Sequence, residues 1–316
     1  MVLTQCLPFS ATQAMQVLRA SLLVSLLLAL SACSVAGRHT ISIDQTTTVG
    51  FELQEVLQLG QLVDSAYTLF RDNPSNPSPA APALAGFKPL ANLIGRDDLK
   101  SSQREFYGHL LEPQSIPNSL IISVRGTSDT QEWLDDIKFE HRRFSDDPQF
   151  GHVELGFKEI YQSFIISDFG SDDGISLEQY LQRHPDLTQV TLVGHSLGSS
   201  LATLLALNIT LKRPDLHVRL LTFASPRTGD NQFSDAFQRH IPNSLRIVNK
   251  PDLVPRVPPR AFKFLHVWHE SEINSKPFSH IKNSVACYHS LNTYLHVLTR
   301  HENMTVVELD PGCQTE

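Results

Sequence analysis

Residues 194–198 read Gly-His-Ser-Leu-Gly and lie between a strand-like run, 189–193, and a helix-like run, 199–208. A serine on a tight turn from strand to helix presents its hydroxyl at the carboxyl edge of a sheet, clear of the backbone. The glycines let the chain bend sharply, and the N-terminus of the following helix favours a developing oxyanion. The spacing predicts Ser196 as a nucleophile, although a glycine-flanked serine also occurs in ordinary turns and helix caps.

A serine nucleophile needs a base and a carboxylate that orients the base. In α/β hydrolases these follow in the order Ser, Asp or Glu, His. Asp252 comes after the strand-like residues 245–248, and His289 lies just ahead of the last helix-like segment. We expect His289 to take the proton of Ser196 and Asp252 to hold the imidazole. Taken singly, Asp252 could cap a turn between prolines, and His289 is one of 14 histidines.

Short apolar runs alternate with helical patterns, which is typical of a mostly parallel sheet covered by helices on both faces. Residues 73–89 contain five prolines and predict a loop. The predicted strands are 106–111, 120–125, 190–193, 218–224, 245–248 and 264–268. The predicted helices are 51–70, 156–166, 177–183, 199–211 and 232–239.

Six segments, in order across residues 51–300, resemble the class 3 lipases, the fungal-lipase-like branch of the α/β hydrolases. The resemblance implies an α/β-hydrolase fold and the triad Ser196, His289 and Asp252. The segments are 119–127 ending in Arg-Gly-Thr, 133–136 with Trp-Leu-Asp-Asp, 193–198, 223–233 with Pro-Arg-Thr-Gly-Asp, 249–258, and His289 with Tyr294.

The same resemblance implies an oxyanion hole built from the backbone N–H groups of Thr127 and Leu197. Two donors must converge on the carbonyl oxygen as it becomes charged, and losing one costs about 2.7–4 kcal/mol. Thr127 could instead be a simple turn residue after a strand. One position departs from the family, because Glu154 stands where the family often carries a histidine.

The segment after Arg-Gly-Thr, at about 128–144, often forms a lid in the family. Four apolar side chains could face an acyl chain there: Trp133, Leu134, Ile137 and Phe139. Acidic and basic residues alternate with them. The segment could therefore be an amphipathic lid that opens at a lipid surface, a polar flap that stays open, or a solvated surface helix.

The N-terminus predicts export. Residues 20–30 are almost wholly apolar, which is too short for a membrane-spanning helix but typical of a signal peptide. The run ends in Leu-Ser-Ala-Cys at residues 30–33, which resembles the bacterial lipobox. We expect a signal peptide at 1–32, a lipid-bearing Cys33, a tether at 33–48 and one hydrolase domain at 49–316.

The location expected for such a protein is the bacterial cell envelope, with outer-membrane sorting suggested by Ser34. An ordinary secretory signal would give a secreted enzyme, and Met15 is an alternative start.

Composition is ordinary for a globular protein, with 41% hydrophobic and 19% charged residues. The net charge of −7 argues against nucleic acid as a partner and against electrostatic docking to anionic lipid. We expect no metal and no cofactor. In an exported protein Cys287 and Cys313 could pair or stay free.

Three functions follow. The first is a carboxylester lipase that cleaves acylglycerol-type esters through an acyl-enzyme. The second applies the same chemistry to a phospholipid or a galactolipid, as a phospholipase A1 or galactolipase. The third is a non-catalytic binding protein of the envelope, since a fold does not fix a function.

Overall fold

The computed structural model describes residues 50–96, 103–127, 139–300 and 304–315. The predicted signal peptide, Cys33 and the tether lie outside these residues, as do positions 128–138 of the expected lid. All helices and strands given below belong to one unit, Ile41–Glu316.

Nine strands form the main sheet of the described residues, and two more form a separate hairpin. The sheet runs in the order β11-β10-β9-β8-β3-β2-β1-β6-β7, and β4 pairs with β5. The strands are β1 (Phe87–Arg96), β2 (Arg104–Pro113), β3 (Ser119–Val124), β4 (His141–Arg143), β5 (His152–Glu154), β6 (Ile165–Ser167), β7 (Gly174–Ile175), β8 (Gln189–His195), β9 (His217–Phe223), β10 (Ser244–Asn249) and β11 (Glu270–Ile273).

Strands β3, β8, β9, β10 and β11 run parallel to one another. From β3 through β2, β1 and β6 to β7, each pair of neighbours is antiparallel. Because parallel strands end at the same edge of a sheet, the loops after β3, β8 and β10 meet there. These loops carry Thr127, Ser196 and Asp252.

Helices cover both faces of the sheet. Side chains of β3 and β8 alternate between two apolar cores, because successive residues of a strand point to opposite faces. Leu192 packs toward α2, α4 and α5, whereas Val193 packs toward α1 and α7. The helices are α1 (Leu53–Asp72), α2 (Leu155–Gln162), α3 (Leu177–Arg183), α4 (Leu197–Lys212), α5 (Asn231–His240), α6 (Val285–His289) and α7 (Leu291–Arg300). The α/β-hydrolase architecture predicted from the sequence is confirmed.

Helix α4 is apolar along nearly its whole length because it lies between the sheet and α2. A helix with a polar face could not occupy this layer without burying unpaired groups. The position of Ser196 is therefore fixed at both ends, by central strand β8 and by the most buried helix of the described fold.

Three local predictions were wrong. Residues 264–268 are not a strand, because the outer edge of β10 is filled by β11, and Leu265 forms only an isolated bridge with Gly229. The helix predicted to reach residue 166 ends at Gln162, and the chain continues into β6. The loop predicted from the prolines of 73–89 ends earlier, because β1 begins at Phe87 and accommodates Pro89 at a bulge.

Cys287 and Cys313 form a disulfide with an S–S distance of 2.08 Å, which decides between the two possibilities left open by the sequence. The bond ties the C-terminal tail to α6, the helix that ends at His289. Within the described ranges, the structure contains no helix with the length and apolar character needed to cross a bilayer.

Candidate active site

Ser196 occupies the turn between β8 and α4 with a left-handed backbone conformation, φ 57° and ψ −130°. Its N–H donates to the carbonyl of Phe223 on β9 at 3.0 Å. A Cβ atom on Gly194 would lie 2.4 Å from the carbonyl oxygen of Gly198, and one on Gly198 would lie 2.4 Å from the carbonyl oxygens of β3 and the residue after it. Both glycines are required because strand, turn and helix approach this closely.

The structure brings Ser196, His289 and Asp252 together in one hydrogen-bonded line. The Ser196 hydroxyl lies 2.8 Å from His289 Nε2, and His289 Nδ1 lies 2.9 Å from Asp252 Oδ2. All three residues are at least 96% buried. In this arrangement the hydroxyl donates to a neutral imidazole, whose Nδ1–H donates to the carboxylate, which is the tautomer that a general base needs.

Asp252 is held by two further donors. The Tyr294 hydroxyl donates to Oδ2 at 2.7 Å, and the Val254 N–H donates to Oδ1 at 3.0 Å. Tyr294 in turn accepts from the Asn249 N–H at 2.9 Å. Burial and the Asp252 carboxylate hold the pKa of Tyr294 well above its ordinary value, so the phenol stays a donor. The carboxylate therefore cannot rotate away from His289 without losing these bonds.

His195 and Tyr67 form a second chain of hydrogen bonds behind the elbow. The Gly126 N–H donates to the Tyr67 oxygen at 2.8 Å, and the Tyr67 hydroxyl lies 2.8 Å from His195 Nδ1. His195 Nε2 lies 2.9 Å from the carbonyl oxygen of His289. Burial, with His289 nearby, lowers the pKa of His195 well below its ordinary value. A neutral His195 then accepts from Tyr67 and donates to His289.

The sequence did not assign a role to this second chain. Tyr67 was visible only as one apolar position of an amphipathic helix, and His195 only as the variable letter of the elbow motif. The contact between them joins residues 128 positions apart. No local spacing signals such a contact.

Of the two residues expected to form an oxyanion hole, Leu197 follows Ser196 directly and Thr127 follows Gly126, which packs against Ser196. Leu197 is the first residue of α4, so its N–H has no acceptor within the helix. A Cβ atom on Gly126 would lie 2.9 Å from the Ser196 Cβ, so the loop that carries Thr127 is pressed against the elbow. Thr127 also lines a cavity that reaches His289.

Of the four residues expected in a lid, Trp133, Leu134 and Ile137 lie outside the described residues. Phe139 is half-buried, and its ring centre is 5.2 Å from that of Phe262, which is exposed. The segment thus rejoins the described fold at an aromatic pair.

Glu154, the departure from the family pattern, has a physical explanation in the structure. It is the N-cap of α2, and its carboxylate accepts from the Phe157 N–H at 2.9 Å. Burial raises its pKa to about 7. The residue caps the helix and makes no hydrogen bond to Ser196, His289 or Asp252.

Comparison with known proteins agrees with this geometry. Residues 121–262 match the model of the family "Lipase (class 3)". The chloroplastic phospholipase A(1) DAD1 of Arabidopsis thaliana is 25% identical over 319 residues, covering 78% of this chain and 71% of that protein. Phospholipase A1-II 3 of Oryza sativa subsp. indica is 38% identical over 207 residues, covering 57% of this chain and 48% of its own length. The chain thus spans about half the length of the rice relative.

Among solved structures, the Rhizomucor miehei lipase in complex with its propeptide superposes with a TM-score of 0.55 at 23% identity, covering 78% of this chain and 80% of that one. Lipase II from Rhizopus niveus gives a TM-score of 0.55 at 23% identity, with coverage of 78% and 94%. At this identity the likeness shows the fold, which is that of the α/β hydrolases.

Fold, elbow and family match together define a serine hydrolase of carboxylic esters. Ser196 and Asp252 both lie in the part of the chain that matches the class 3 lipase model, residues 121–262.

Proposed function

We propose that the protein is a lipase that cleaves acylglycerol-type esters through an acyl-enzyme on Ser196. The observation that carries the proposal is the 2.8 Å contact between the Ser196 hydroxyl and His289 Nε2 at a strained strand-to-helix turn. A hydroxyl in line with a neutral, oriented imidazole can be deprotonated as it attacks.

In the first half-reaction the Ser196 oxygen attacks the ester carbonyl while its proton passes to His289 Nε2. The resulting oxyanion accepts from the N–H groups of Thr127 and Leu197. The tetrahedral intermediate then collapses. The bond to the alcohol oxygen breaks, and His289 gives its proton to that oxygen. Asp252 stabilises the imidazolium that exists between these transfers.

In the second half-reaction water attacks the acyl-enzyme, and His289 serves again as base and then as acid. The products are a free fatty acid and the alcohol, and Ser196 is restored. The sum is hydrolysis of one ester bond by one water molecule. Every group that the cycle needs is a protein side chain or a backbone N–H.

A second candidate is acyl release from a glycerophospholipid or galactolipid, as in a phospholipase A1 or galactolipase. Two of the relatives reported above are named phospholipases A1, which favours the phospholipid version. A non-catalytic binding protein would have no need for the aligned hydroxyl, imidazole and carboxylate. The hydrogen-bonded line at Ser196 therefore argues against that reading.

The decisive assay is hydrolysis of p-nitrophenyl esters of increasing acyl length, followed by diacylglycerol and phospholipid with identified acyl positions. Ser196→Ala is compared with Ser115→Ala, a matched change at an exposed serine of the turn between β2 and β3. We expect Ser196→Ala to abolish release of acid and Ser115→Ala to keep it. Full activity in folded Ser196→Ala would contradict the proposal. Activity on short soluble esters alone would identify the protein as an esterase and not a lipase.

We also propose that Trp133, Leu134, Ile137 and Phe139 belong to a segment that covers the acyl chain. The aromatic pair of Phe139 and exposed Phe262 supports this, because it puts apolar surface where the segment rejoins the fold. Activity on a long-chain ester should rise steeply once the ester exceeds its solubility. A smooth saturation curve through that point would exclude gating by this segment.

For location we propose a bacterial lipoprotein that carries its lipid on Cys33. A tether at 33–48 connects the hydrolase domain to the cell envelope. The support is the apolar run at 20–30 followed by Leu-Ser-Ala-Cys. Radiolabelled palmitate should be incorporated by the full chain and not by Cys33→Ala. Label that persists in Cys33→Ala would contradict the anchor, and unlabelled protein in the medium would support the alternative of a secreted enzyme.

A further inference from the structure

A cavity of about 480 Å³ opens beside the active site, between α1 and the junction of α6 with α7. It reaches both Thr127 and His289, so it is continuous with the space where an ester would react. Its polar walls come from two directions. Its ionic and hydrogen-bonding side chains are Asp64, Tyr67 and Arg71 of α1, and Ser290, Asn292 and Asp310 opposite.

The chemistry assigns this cavity to the leaving alcohol. His289 Nε2 must hand its proton to the alcohol oxygen, so the alcohol departs next to the imidazole. The cavity is lined by Ala286, three residues before His289, and by Ser290 to Asn292, which follow it. The polar part of a glycerolipid is attached to this alcohol, and a polar cavity suits it better than an acyl chain.

Two carboxylates, those of Asp64 and Asp310, line the cavity. Asp310 accepts from the hydroxyl of Ser290 and, at 2.8 Å, from the amide of Asn292. Asn292 also forms a hydrogen bond with Asp64. Burial and the charge of Asp310 raise the pKa of Asp64. These two acids are therefore held near each other by neutral donors, in a place where a cation would relieve their repulsion.

Arg71 supplies the opposite charge at the other end of the same helical face. It lies one turn beyond Tyr67 on α1, is exposed, and donates to Thr68 at 3.1 Å. Its charge acts on Asp64, two turns away on the same helix. A guanidinium matches phosphate oxygens in charge and geometry.

We propose that this cavity is a headgroup subsite for zwitterionic glycerophospholipids, with the phosphate against Arg71 and the ammonium against Asp64 and Asp310. The inference rests on the ester hydrolysis proposed for Ser196 and, of the two candidate substrate classes, selects the glycerophospholipids. An anionic headgroup would place a further negative charge beside two carboxylates. A diacylglycerol would leave all three charges without a ligand.

The test uses mixed micelles of phosphatidylethanolamine, phosphatidylglycerol or diacylglycerol with the same acyl chains, and kcat/KM for release of fatty acid. We expect the unmodified protein to prefer phosphatidylethanolamine over phosphatidylglycerol by about tenfold. Asp64→Asn should reduce that preference to about twofold, and so should Asp310→Asn. Arg71→Gln should lower kcat/KM for both phospholipids about tenfold relative to diacylglycerol. Asp186→Asn and Arg239→Gln are matched controls at exposed sites away from the cavity.

Failure of the subsite and failure of the proposed function are distinguishable. Hydrolysis of p-nitrophenyl butyrate that depends on Ser196, with headgroup preferences unchanged in Asp64→Asn and Arg71→Gln, would overturn the subsite alone. If the Asp310→Asn variant does not fold, the Asp64→Asn variant tests the subsite alone, because Asp64 lies on the separate helix α1. A preference for monogalactosyldiacylglycerol that needs the carboxylates and not Arg71 would also overturn the zwitterionic assignment.

Discussion

Two groups of buried polar side chains lie on the same sheet. In the first every side chain is hydrogen-bonded, whereas in the second only the Asn92 amide is, within the described part of the chain. At the carboxyl edge, Ser196, His289 and Asp252 are each bonded to a neighbour. In the antiparallel part, His109 of β2 is aligned with Asn92 of β1 and with Ser123 of β3. Among the described residues, both ring nitrogens of His109 and the Ser123 hydroxyl have no hydrogen-bond partner.

The difference teaches that burial of polar groups does not define a site, whereas their pairing does. Burial alone lowers the pKa of His109 to about 4, so that histidine is a neutral ring that costs stability. His289 is buried equally but bonded on both nitrogens, so its orientation and tautomer are fixed. Hydrogen-bonded side chains such as those around His289 are preorganised for a reaction. Buried polar side chains without partners, such as His109, lower the stability of the fold.

The largest effect should follow Asp252→Asn, which keeps the shape of the paired group and removes its charge. We expect kcat to fall about 10³–10⁴-fold, because the amide no longer stabilises the imidazolium and favours the wrong tautomer of His289. Steady-state kinetics on a p-nitrophenyl ester measures this, with Asp186→Asn as the control. A loss smaller than tenfold would mean that the pairing of His289 is not what makes the group a site.

The next effect concerns Glu154, a buried carboxylate that is paired only with backbone N–H groups. Its folded pKa is raised to about 7 from 4.5. The folded state therefore binds the proton more tightly than the unfolded chain, and stability declines as pH rises through this window. We expect Glu154→Gln to be more stable than the unmodified chain at pH 8 by about 2–3 kcal/mol. Urea unfolding at pH 5 and pH 8 tests it, and an equal difference at both pH values would refute the titration.

Replacing His109, which has no hydrogen-bond partner in the described structure, should stabilise the protein, whereas replacing Asp252 of the triad should impair catalysis. We expect His109→Leu to raise the free energy of unfolding, by about 2 kcal/mol at pH 5. Since the folded pKa is lowered to about 4 from 6.5, the unmodified chain loses stability as pH falls through that window. The variant lacks this loss. Chemical unfolding at pH 5 and 7 gives the comparison, and a destabilised variant at both would show that His109 is paired after all.

The smallest effect should follow Tyr67→Phe, which cuts the second hydrogen-bonded chain. The Gly126 N–H loses its acceptor and His195 loses a donor. We expect kcat to fall about tenfold with little change in KM, because the loop of Thr127 is less firmly held while the substrate contacts remain. Tyr180→Phe, at a buried tyrosine of α3, is the matched control. An unchanged kcat would remove Tyr67 from the positioning of the site.

The sequence predicted the reaction chemistry of this protein more accurately than it predicted the outer strands of the sheet. Ser196, Asp252 and His289 were found because an elbow has a local spacing and the chain order of the triad is restricted. The parallel strands around them were found because their apolar runs are continuous. Strand β1 was not predicted, because a bulge near Pro89 breaks its alternation.

Contacts between distant segments were beyond the reach of local patterns. The bond between Tyr67 and His195, the opposition of Asp64 and Asp310 across a cavity, and the unpaired state of His109 all depend on how α1 and the tail pack on the sheet. Each of these residues has an ordinary sequence context. Their roles become visible only in the folded structure, which brings Tyr67 to His195 and Asp64 to Asp310 and leaves His109 without a partner among the described residues.

The most direct test of the central claim is covalent labelling by a fluorophosphonate, followed by peptide mass spectrometry. The account predicts a single adduct on Ser196, slowed by several hundred-fold or more in Asp252→Asn since His289 is no longer a competent base. Ser115 should stay unlabelled. An adduct on another serine, or no adduct in a folded protein that still hydrolyses esters, would contradict Ser196 as the nucleophile.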